Sequence, residues 1–332
     1  MDNNKINFLA IGDIVIDAFI KLKDADVVGQ PDTTDYKICI PFGEKVPYEE
    51  VDVIYAVGNA SNAVISAARL GLTTSFVSNL GDDRDGKECL DTLKKNNVGT
   101  DFVKINPGFK TNYHYVLWYG AERTILIKHE NYSYNIPDIG EPEWIYFSSI
   151  NETAFPVIHN KLADYLESHQ NTKFAFQPGK FEIKLGKEKL ERLYKLSTLF
   201  FCNVEEAEKI LGINNLDIKK LLQGMFDLGP KIVVITDGPK GAYAYDGIDM
   251  WFIKNYPDPK PPVSRTGAGD AFSSTFTSAI SLGKTLPEAL EWAGINSMAV
   301  VQHVGANVGL LSREALEKYL ADAPEDYKPI KI

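Results

Sequence analysis

The sequence predicts an α/β fold in which a mostly parallel sheet lies between layers of helices. Short runs rich in β-branched and aromatic residues alternate along the chain with helix-periodic amphipathic stretches, the order that βαβ units impose. At 332 residues the chain can bury a full core. Two segments, 35–55 and 111–131, break the rhythm. The second alternates Tyr113, Tyr115, Leu117 and Tyr119, a period of two that fits antiparallel strands in a small flap beside the main sheet.

Taken in order, residues 6–11 form the first buried strand and 59–70 the first helix, with Ala60, Ala63 and Ala67 at helical spacing. Residues 74–78 and 144–147 read as strands, and 86–96 and 156–169 as helices. Strands at 173–176, 198–201 and 232–236 are interleaved with helices at 205–211 and 218–226. From Asp270 onward, Phe272, Phe276, Ala279 and Ile280 give another helix with a buried face. Ligands on such sheets bind beyond the carboxyl ends of the strands, so the flap could close over a substrate. A peripheral hairpin or an oligomer contact is the alternative.

Composition narrows the setting. The 35 basic and 45 acidic residues give a net charge of −10 with no Lys/Arg-rich run, which argues against nucleic acid or an anionic membrane as partner. Cys39, Cys89 and Cys202 are odd in number and outside any C-x-x-C spacing, as in reduced structural thiols. Residues 1–5 are polar, and the apolar run over 6–20 is interrupted by Asp13 and Asp17, so neither a signal peptide nor a membrane span is expected. A cytoplasmic location follows as an expectation. Asn131 and Asn151 open sequons that have no secretory route to use.

The chemistry concentrates at 263–272, Val-Ser-Arg-Thr-Gly-Ala-Gly-Asp-Ala-Phe. Gly267, Ala268 and Gly269 leave little side chain to keep an anion from several N–H groups at once. Such groups are unpaired at a helix start, where the dipole adds positive charge. Asp270 then stands where a base could take a hydroxyl proton during phosphoryl transfer. A bare G-A-G-D could equally be a glycine-rich helix entry with a capping acid. The third glycine of a dinucleotide fingerprint is missing, and no Walker A loop occurs anywhere in the chain.

With this loop, the segment Gly58, Asn59, Ala60, Ser61, Asn62 and the motifs between them, the chain resembles the ribokinase-like (PfkB family) carbohydrate kinases from residue 6 to about residue 311. The resemblance implies a three-layer α/β/α sandwich as one kinase domain over 1–332, with a β-strand lid from insertions at about 18–56 and 110–131. It implies an ATP-dependent, Mg²⁺-requiring transfer of the γ-phosphate to a hydroxymethyl group of a sugar or related alcohol. Asp270 would be the base, and Gly267, Ala268 and Gly269 the anion hole. Asp17 would grip substrate hydroxyls, with Asp13 a second candidate, although either could be a turn or capping residue. Gly58, Asn59 and Asn62 match the substrate loop in part. Val57 replaces its first glycine, and Asn59 stands where some members carry lysine, which favours a neutral polyol over a sugar phosphate.

On the nucleotide side, Asn203 resembles the start of the family's Asn-x-x-Glu motif and Glu206 its acid, which would hold Mg²⁺ through water. Thr236, Gly238 and Gly241 would meet ATP, and Asn296 would lie near the adenine. A helix cap at Asn203 and Glu206, and a buried polar group at Asn296, are the alternatives. Residues 79–86, with their Gly-Asp-Asp turn, read as structural. Family members bind a monovalent cation beside the loop through an aspartate where this chain has Ser264. The departure leaves Ser264 and Thr266 as cation candidates, puts K⁺ activation in question, and offers the Arg265 guanidinium as a replacement charge. A nucleoside kinase, with the aromatic lid residues Tyr113, Tyr115, Trp118 and Tyr119 stacking a base, is a second reading, and a non-catalytic sugar-binding or regulatory protein a third. Relatives pair through the lid, so a homodimer is expected.

Overall fold

The computed structural model describes residues 5–29, 36–120, 122–214 and 217–332; Asp35, in the first expected flap segment, lies outside them. The chain begins with β1 (Phe8–Ile11), β2 (Val15–Leu22), β3 (Asp26–Val28), β4 (Lys37–Cys39) and β5 (Tyr48–Val57). Next come α1 (Asn59–Arg69), β6 (Thr74–Gly81), α2 (Arg84–Lys95), β7 (Val103–Asn106), β8 (Tyr113–Tyr119) and β9 (Glu122–Lys128). Then follow β10 (Trp144–Phe147), α3 (Phe155–Ser168), β11 (Lys173–Phe176), α4 (Lys180–Leu185), α5 (Glu191–Leu196), β12 (Leu199–Asn203) and α6 (Val204–Leu211). The remainder is α7 (Ile218–Phe226), β13 (Ile232–Thr236), β14 (Ala242–Tyr245), β15 (Met250–Ile253), α8 (Ala268–Ser281), α9 (Leu286–Val300), α10 (Arg313–Ala321) and β16 (Ile330–Lys331).

Ten strands form the main sheet in the order β16-β15-β14-β13-β12-β11-β10-β1-β6-β7. From β13 to β7 every pairing is parallel, and β14, β15 and β16 extend the β13 edge antiparallel. The parallel part is covered on both faces, which is why β1, β6 and β10 are buried along their whole length. Successive side chains point to opposite faces. Phe8 and Ala10 accordingly join a core packed with α1, α8 and α9, while Leu9 and Ile11 join one packed with α3 and α7. That is the three-layer α/β/α sandwich the sequence predicts.

The second sheet, in the order β5-β2-β8-β9, is the expected lid-like element with one difference. Its hairpin β8–β9 is antiparallel as predicted, but β2 joins it and runs parallel to β8. The segment carrying Asp13 and Asp17 therefore does not continue the first strand. β1 stops at Ile11, the chain crosses at Gly12, and Asp17 lies on the second sheet. A Cβ at Gly12 would sit 2.5 Å from the Cβ of Ala60, so the crossing over α1 has room only for glycine.

α8 runs through the interior although five of its buried residues carry hydroxyls: Ser273, Ser274, Thr275, Thr277 and Ser278. Most are satisfied by the helix itself. Ser273, Thr277 and Ser278 each donate to the carbonyl four residues back, at 2.8 Å. Among the described residues no helix is long and apolar enough to cross a membrane.

Candidate active site

The site is built around the start of α8. Gly267 caps the helix with φ of 83°, a left-handed conformation, and a Cβ there would lie 2.5 Å from the Cβ of Ala306 and 2.6 Å from its Cα. A Cβ at Gly269 would instead meet only the Gln177 amide, 3.9 Å away, so the space in front of the first turn is open. The first-turn N–H groups lack an acceptor within the helix, at the positive end of its dipole, although the Ala268 N–H makes a long bond of 3.5 Å to the Arg265 carbonyl.

Asp270 is 8% exposed and its carboxylate is held by three amides. Asn59 Nδ2 donates to Oδ1 at 2.8 Å, Asn62 Nδ2 to Oδ2 at 2.8 Å, and Gln177 Nε2 to Oδ1 at 3.2 Å. Burial raises its pKa above the ordinary carboxylate value, the three amides pull it back, and nearby Asp17 raises it further. Loss of solvent outweighs the donors, so this carboxylate holds a proton more tightly than a free one. Asn59 and Asn62, expected to meet acceptor hydroxyls, are instead hydrogen-bonded to the Asp270 carboxylate. The Asn62 Oδ1 atom remains buried without a partner.

Gln177 was not visible as a site residue in the sequence. It follows β11 directly, at the carboxyl end of a parallel strand, and that position is the signal that could have found it. Its Oε1 accepts from the Tyr146 hydroxyl, and because an ionised Asp270 can only accept, Nε2 faces the carboxylate. Replacing Gln177 with Leu removes a donor that favours the charged carboxylate. The acid limb of kcat should then move to higher pH; an unshifted limb would contradict this role.

Asp13 and Asp17, 5% and 7% exposed, approach from the crossing and from β2. Two histidines not singled out from the sequence stand over them. His114 lies opposite Asp17 in the parallel β2–β8 register, with Nδ1 3.3 Å from Asp17 Oδ1, and His129 Nδ1 is 3.1 Å from Asp13 Oδ2. The Tyr134 hydroxyl donates to Asp13 Oδ1 at 2.7 Å. Gly58, with φ of 112°, runs so close that a Cβ would lie 2.8 Å from the Asp13 carbonyl oxygen.

The nucleotide-side residues divide. Asn203 and Glu206 form a reciprocal capping box, with Asn203 Oδ1 accepting from the Glu206 N–H at 2.8 Å and Glu206 Oε2 from the Asn203 N–H at 2.9 Å. Burial raises the Glu206 pKa. Thr236 ends β13, and Gly238, with φ of 50°, has open space where a Cβ would be. Gly241 owes its identity to packing, since a Cβ there would meet the Ile253 carbonyl oxygen at 2.1 Å.

Asn296 departs from the expectation of an adenine contact. It is 0% exposed, its Nδ2 donates to Thr275 Oγ1 at 2.7 Å, and its Oδ1 accepts from the Leu311 N–H at 2.9 Å. It ties α8, α9 and the chain before α10 together, the buried-polar alternative. Asn296→Ala should cost about 3 kcal/mol of stability by leaving those groups unpaired. The KM for ATP, measured on the folded fraction, should not change.

Ser264 and Thr266 close on each other, Ser264 Oγ donating to Thr266 Oγ1 at 3.0 Å and accepting from the Thr266 N–H at 3.2 Å. Arg265 lines a narrow cleft of about 20 Å³ with Phe19, Trp118, Glu122 and Arg123 of the lid-like sheet. Burial lowers the Arg123 pKa. The alternation of β8 places Trp118 on the His114 face and Tyr113 and Tyr115 on the other, where their rings lie 5.1 Å apart.

The fold and the family match together define a phosphotransferase that uses an alcohol group as acceptor. Residues 26–313 match the pfkB family carbohydrate kinase, and the chain belongs to that family. It is 27% identical to a ribokinase of Bacillus subtilis, covering 80% of this chain and 87% of the relative. It is 25% identical to a nucleoside kinase of Methanothermobacter thermautotrophicus, covering 80% and 84%. The structure of Arabidopsis thaliana ribokinase complexed with ribose and ATP superposes with a TM-score of 0.77 at 20% identity, covering 95% of this chain and 99% of that one.

Proposed function

We propose that this chain, working as one kinase domain, transfers the γ-phosphate of ATP to a hydroxyl, of hydroxymethyl type, on a small polyhydroxy acceptor. The observation that carries this is Asp270, desolvated yet surrounded by amide donors, in the first turn of α8. The entering hydroxyl displaces one amide and gives its proton to the carboxylate as its oxygen attacks the γ-phosphorus and the bridging P–O bond breaks, ADP leaving with the electron pair. The Gly267, Ala268 and Gly269 amides take up the charge on the transferring phosphoryl group. Asn203, Thr236, Gly238 and Gly241 border the nucleotide, with Asn296 left out. Mg²⁺ fits the donors present, because Glu206 Oε1 is left over by the capping box and Mg²⁺ keeps most of its waters; it supplies charge neutralisation on the phosphates. Arg265 stands in for the monovalent cation, so K⁺ is not required.

Asp17, Asp13, Gly58 and the free Oδ1 of Asn62 form the acceptor cradle, with the segments at about 18–56 and 110–131 closing over it as a lid. The outer face of that sheet exposes Val51, Val53, Tyr115 and Leu126, which supports pairing of two copies through the lid. Tyr113 and Tyr115 lie on this outer face, so base stacking in a nucleoside kinase would fall to Trp118. A second acceptor class is favoured by Arg123 and Arg265, which reach one cleft from the lid and from the anion-hole loop with no carboxylate hydrogen-bonded to either among the described residues. A sugar acid would place its carboxylate there.

ADP release from MgATP across pentoses, hexoses, sugar acids and nucleosides, with and without K⁺, tests these readings. Turnover of a neutral sugar supports the first and of a sugar acid the second. A response to nucleosides alone refutes both, binding without turnover points to a non-catalytic protein, and strong K⁺ dependence refutes the role given to Arg265.

A further inference from the structure

Glu182, on α4, is 0% exposed, and both of its oxygens accept from backbone. Oε2 takes the Gly179 N–H at 3.0 Å, a local bond at the start of its own helix, and Oε1 takes the Ile150 N–H at 3.0 Å, thirty-two residues back. A helix cap needs only the first, and keeping an acid in the interior is costly. The two N–H groups occupy matching places. β10 and β11 are neighbouring parallel strands with Phe147 opposite Phe176, and Ile150 and Gly179 each lie three residues beyond those ends.

We infer that Glu182 is a positioning residue for the base: its carboxyl group staples the loop after β11 to the loop after β10 and so holds the Gln177 amide on Asp270. The inference rests on the reading of Asp270 as the base. Gln177 opens the β11 loop, and its Nε2 donates to Asp270 Oδ1 at 3.2 Å. The Tyr146 hydroxyl orients that side chain, whereas the staple fixes the backbone from which it hangs. The β10 loop reaches the acceptor cradle, since the Ser149 carbonyl accepts from the Asp13 N–H at 3.3 Å. A second observation points the same way. The two loops touch: Ser148 Oγ donates to the Gln177 carbonyl at 2.9 Å, and a Cβ at Gly179 would lie 2.6 Å from that of Ser149.

The residue type fits the task. A carboxylate offers an acceptor oxygen to each N–H, whereas glutamine offers one oxygen and an NH₂ group that would oppose the other donor. Burial pushes the Glu182 pKa up to about 7, with nearby Asp13 adding to the rise, and the N–H bonds from Ile150 and Gly179 pull the other way. The ionised form, which accepts from both loops at once, is therefore reached on the way up through neutral pH.

Backbone ¹⁵N–¹H correlation spectra of the full chain, recorded over pH without acceptor, test the staple. The Gly179 and Ile150 amide protons should move downfield together as Glu182 ionises, and that shared titration should vanish in Glu182→Gln. Amides that titrate separately or not at all, or that titrate in the variant as in the wild type, would overturn the staple whatever the enzyme phosphorylates. Kinetics provide the second arm, using whichever compound of the panel is turned over. Glu182→Gln should lower kcat about tenfold, the weight of one hydrogen bond to a charged group, and leave the KM for ATP unchanged. Gly179→Ala presses the same loops apart at a φ of −85° that alanine adopts freely, and should act in the same way even where Glu182→Gln fails to fold. In a Gln177→Leu background neither substitution should lower kcat further, because the amide through which they act is already gone. A merely stabilising bond would cost the same in both backgrounds. A tenfold loss that persists beside Gln177→Leu, or a wild-type kcat in both single variants, would overturn the positioning role. Absence of turnover by the wild type would refute the kinase reading and with it the role at the base, while the spectra still decide the staple.

Discussion

Asp270→Asn is expected to lower kcat by about 10³, the upper part of the range for a general base, while the acceptor KM moves by no more than a few-fold. The substitution keeps the volume of the side chain. Asn59 and Gln177 can still donate to its oxygen, and Asn62, which donates to the other carboxylate oxygen in the wild type, can turn its unpartnered Oδ1 to accept from the new amide. What is lost is the basic lone pair. A pH effect should accompany the change. Because burial raises the Asp270 pKa, the native state holds its proton to higher pH than the unfolded chain, and ionising it on the way up costs stability. Stability of the wild type should therefore fall as pH rises between the ordinary carboxylate value and the raised one. Asp270→Asn should lack that contribution. Denaturant titrations at several pH values check it, and an identical slope in both proteins would count against the buried ionised base.

The second large effect is expected at Gly267. Alanine there would adopt a left-handed conformation at a cost of about 1–2 kcal/mol and would press its Cβ to 2.5 Å from that of Ala306. The Ala306 side of the contact cannot easily retreat. Asn307 donates to the Ala56 carbonyl at 3.1 Å, and Arg69 grips the carbonyls of Asn307 and Leu310 at 3.0 and 2.7 Å. The helix start must yield instead, turning the amides away from the phosphoryl group. Gly267→Ala should lower kcat by 10²- to 10³-fold, roughly the loss of one anion-hole donor, in a protein that still folds. A wild-type kcat would show that these amides do not hold the transferring group.

Much of this architecture is legible in the chain because it rests on local pattern. The buried strands β10, β11 and β13 and the helix α7 fall where hydrophobic period and length place them. The Gly-Ala-Gly-Asp run announces an open helix start by composition alone. The unread parts depend on tertiary encounters. His114 and His129 are fifteen residues apart on a hairpin, and nothing local says that their ring nitrogens meet or that Asp13 and Asp17 receive them. Gln177 becomes informative only once β11 is known to end beside α8. Asn296 misled for the converse reason: its partners come from α8 and from the segment before α10, so a polar residue suited to a ligand is spent on the interior. The antiparallel β14 and β15 follow β13 with no long helix between them, so the alternation of strand and helix that marks the parallel strands does not mark them.

The most direct measurement follows the phosphorus itself. With MgATP labelled at the γ-phosphate and an acceptor identified by the panel, the wild-type chain should move the label into a phosphate monoester whose ³¹P signal couples to a neighbouring CH₂, and Asp270→Asn should form it about 10³ times more slowly. Label retained in ATP or released only as inorganic phosphate, or equal rates for the two proteins, would contradict the assignment of this site as a kinase centre with Asp270 as its base.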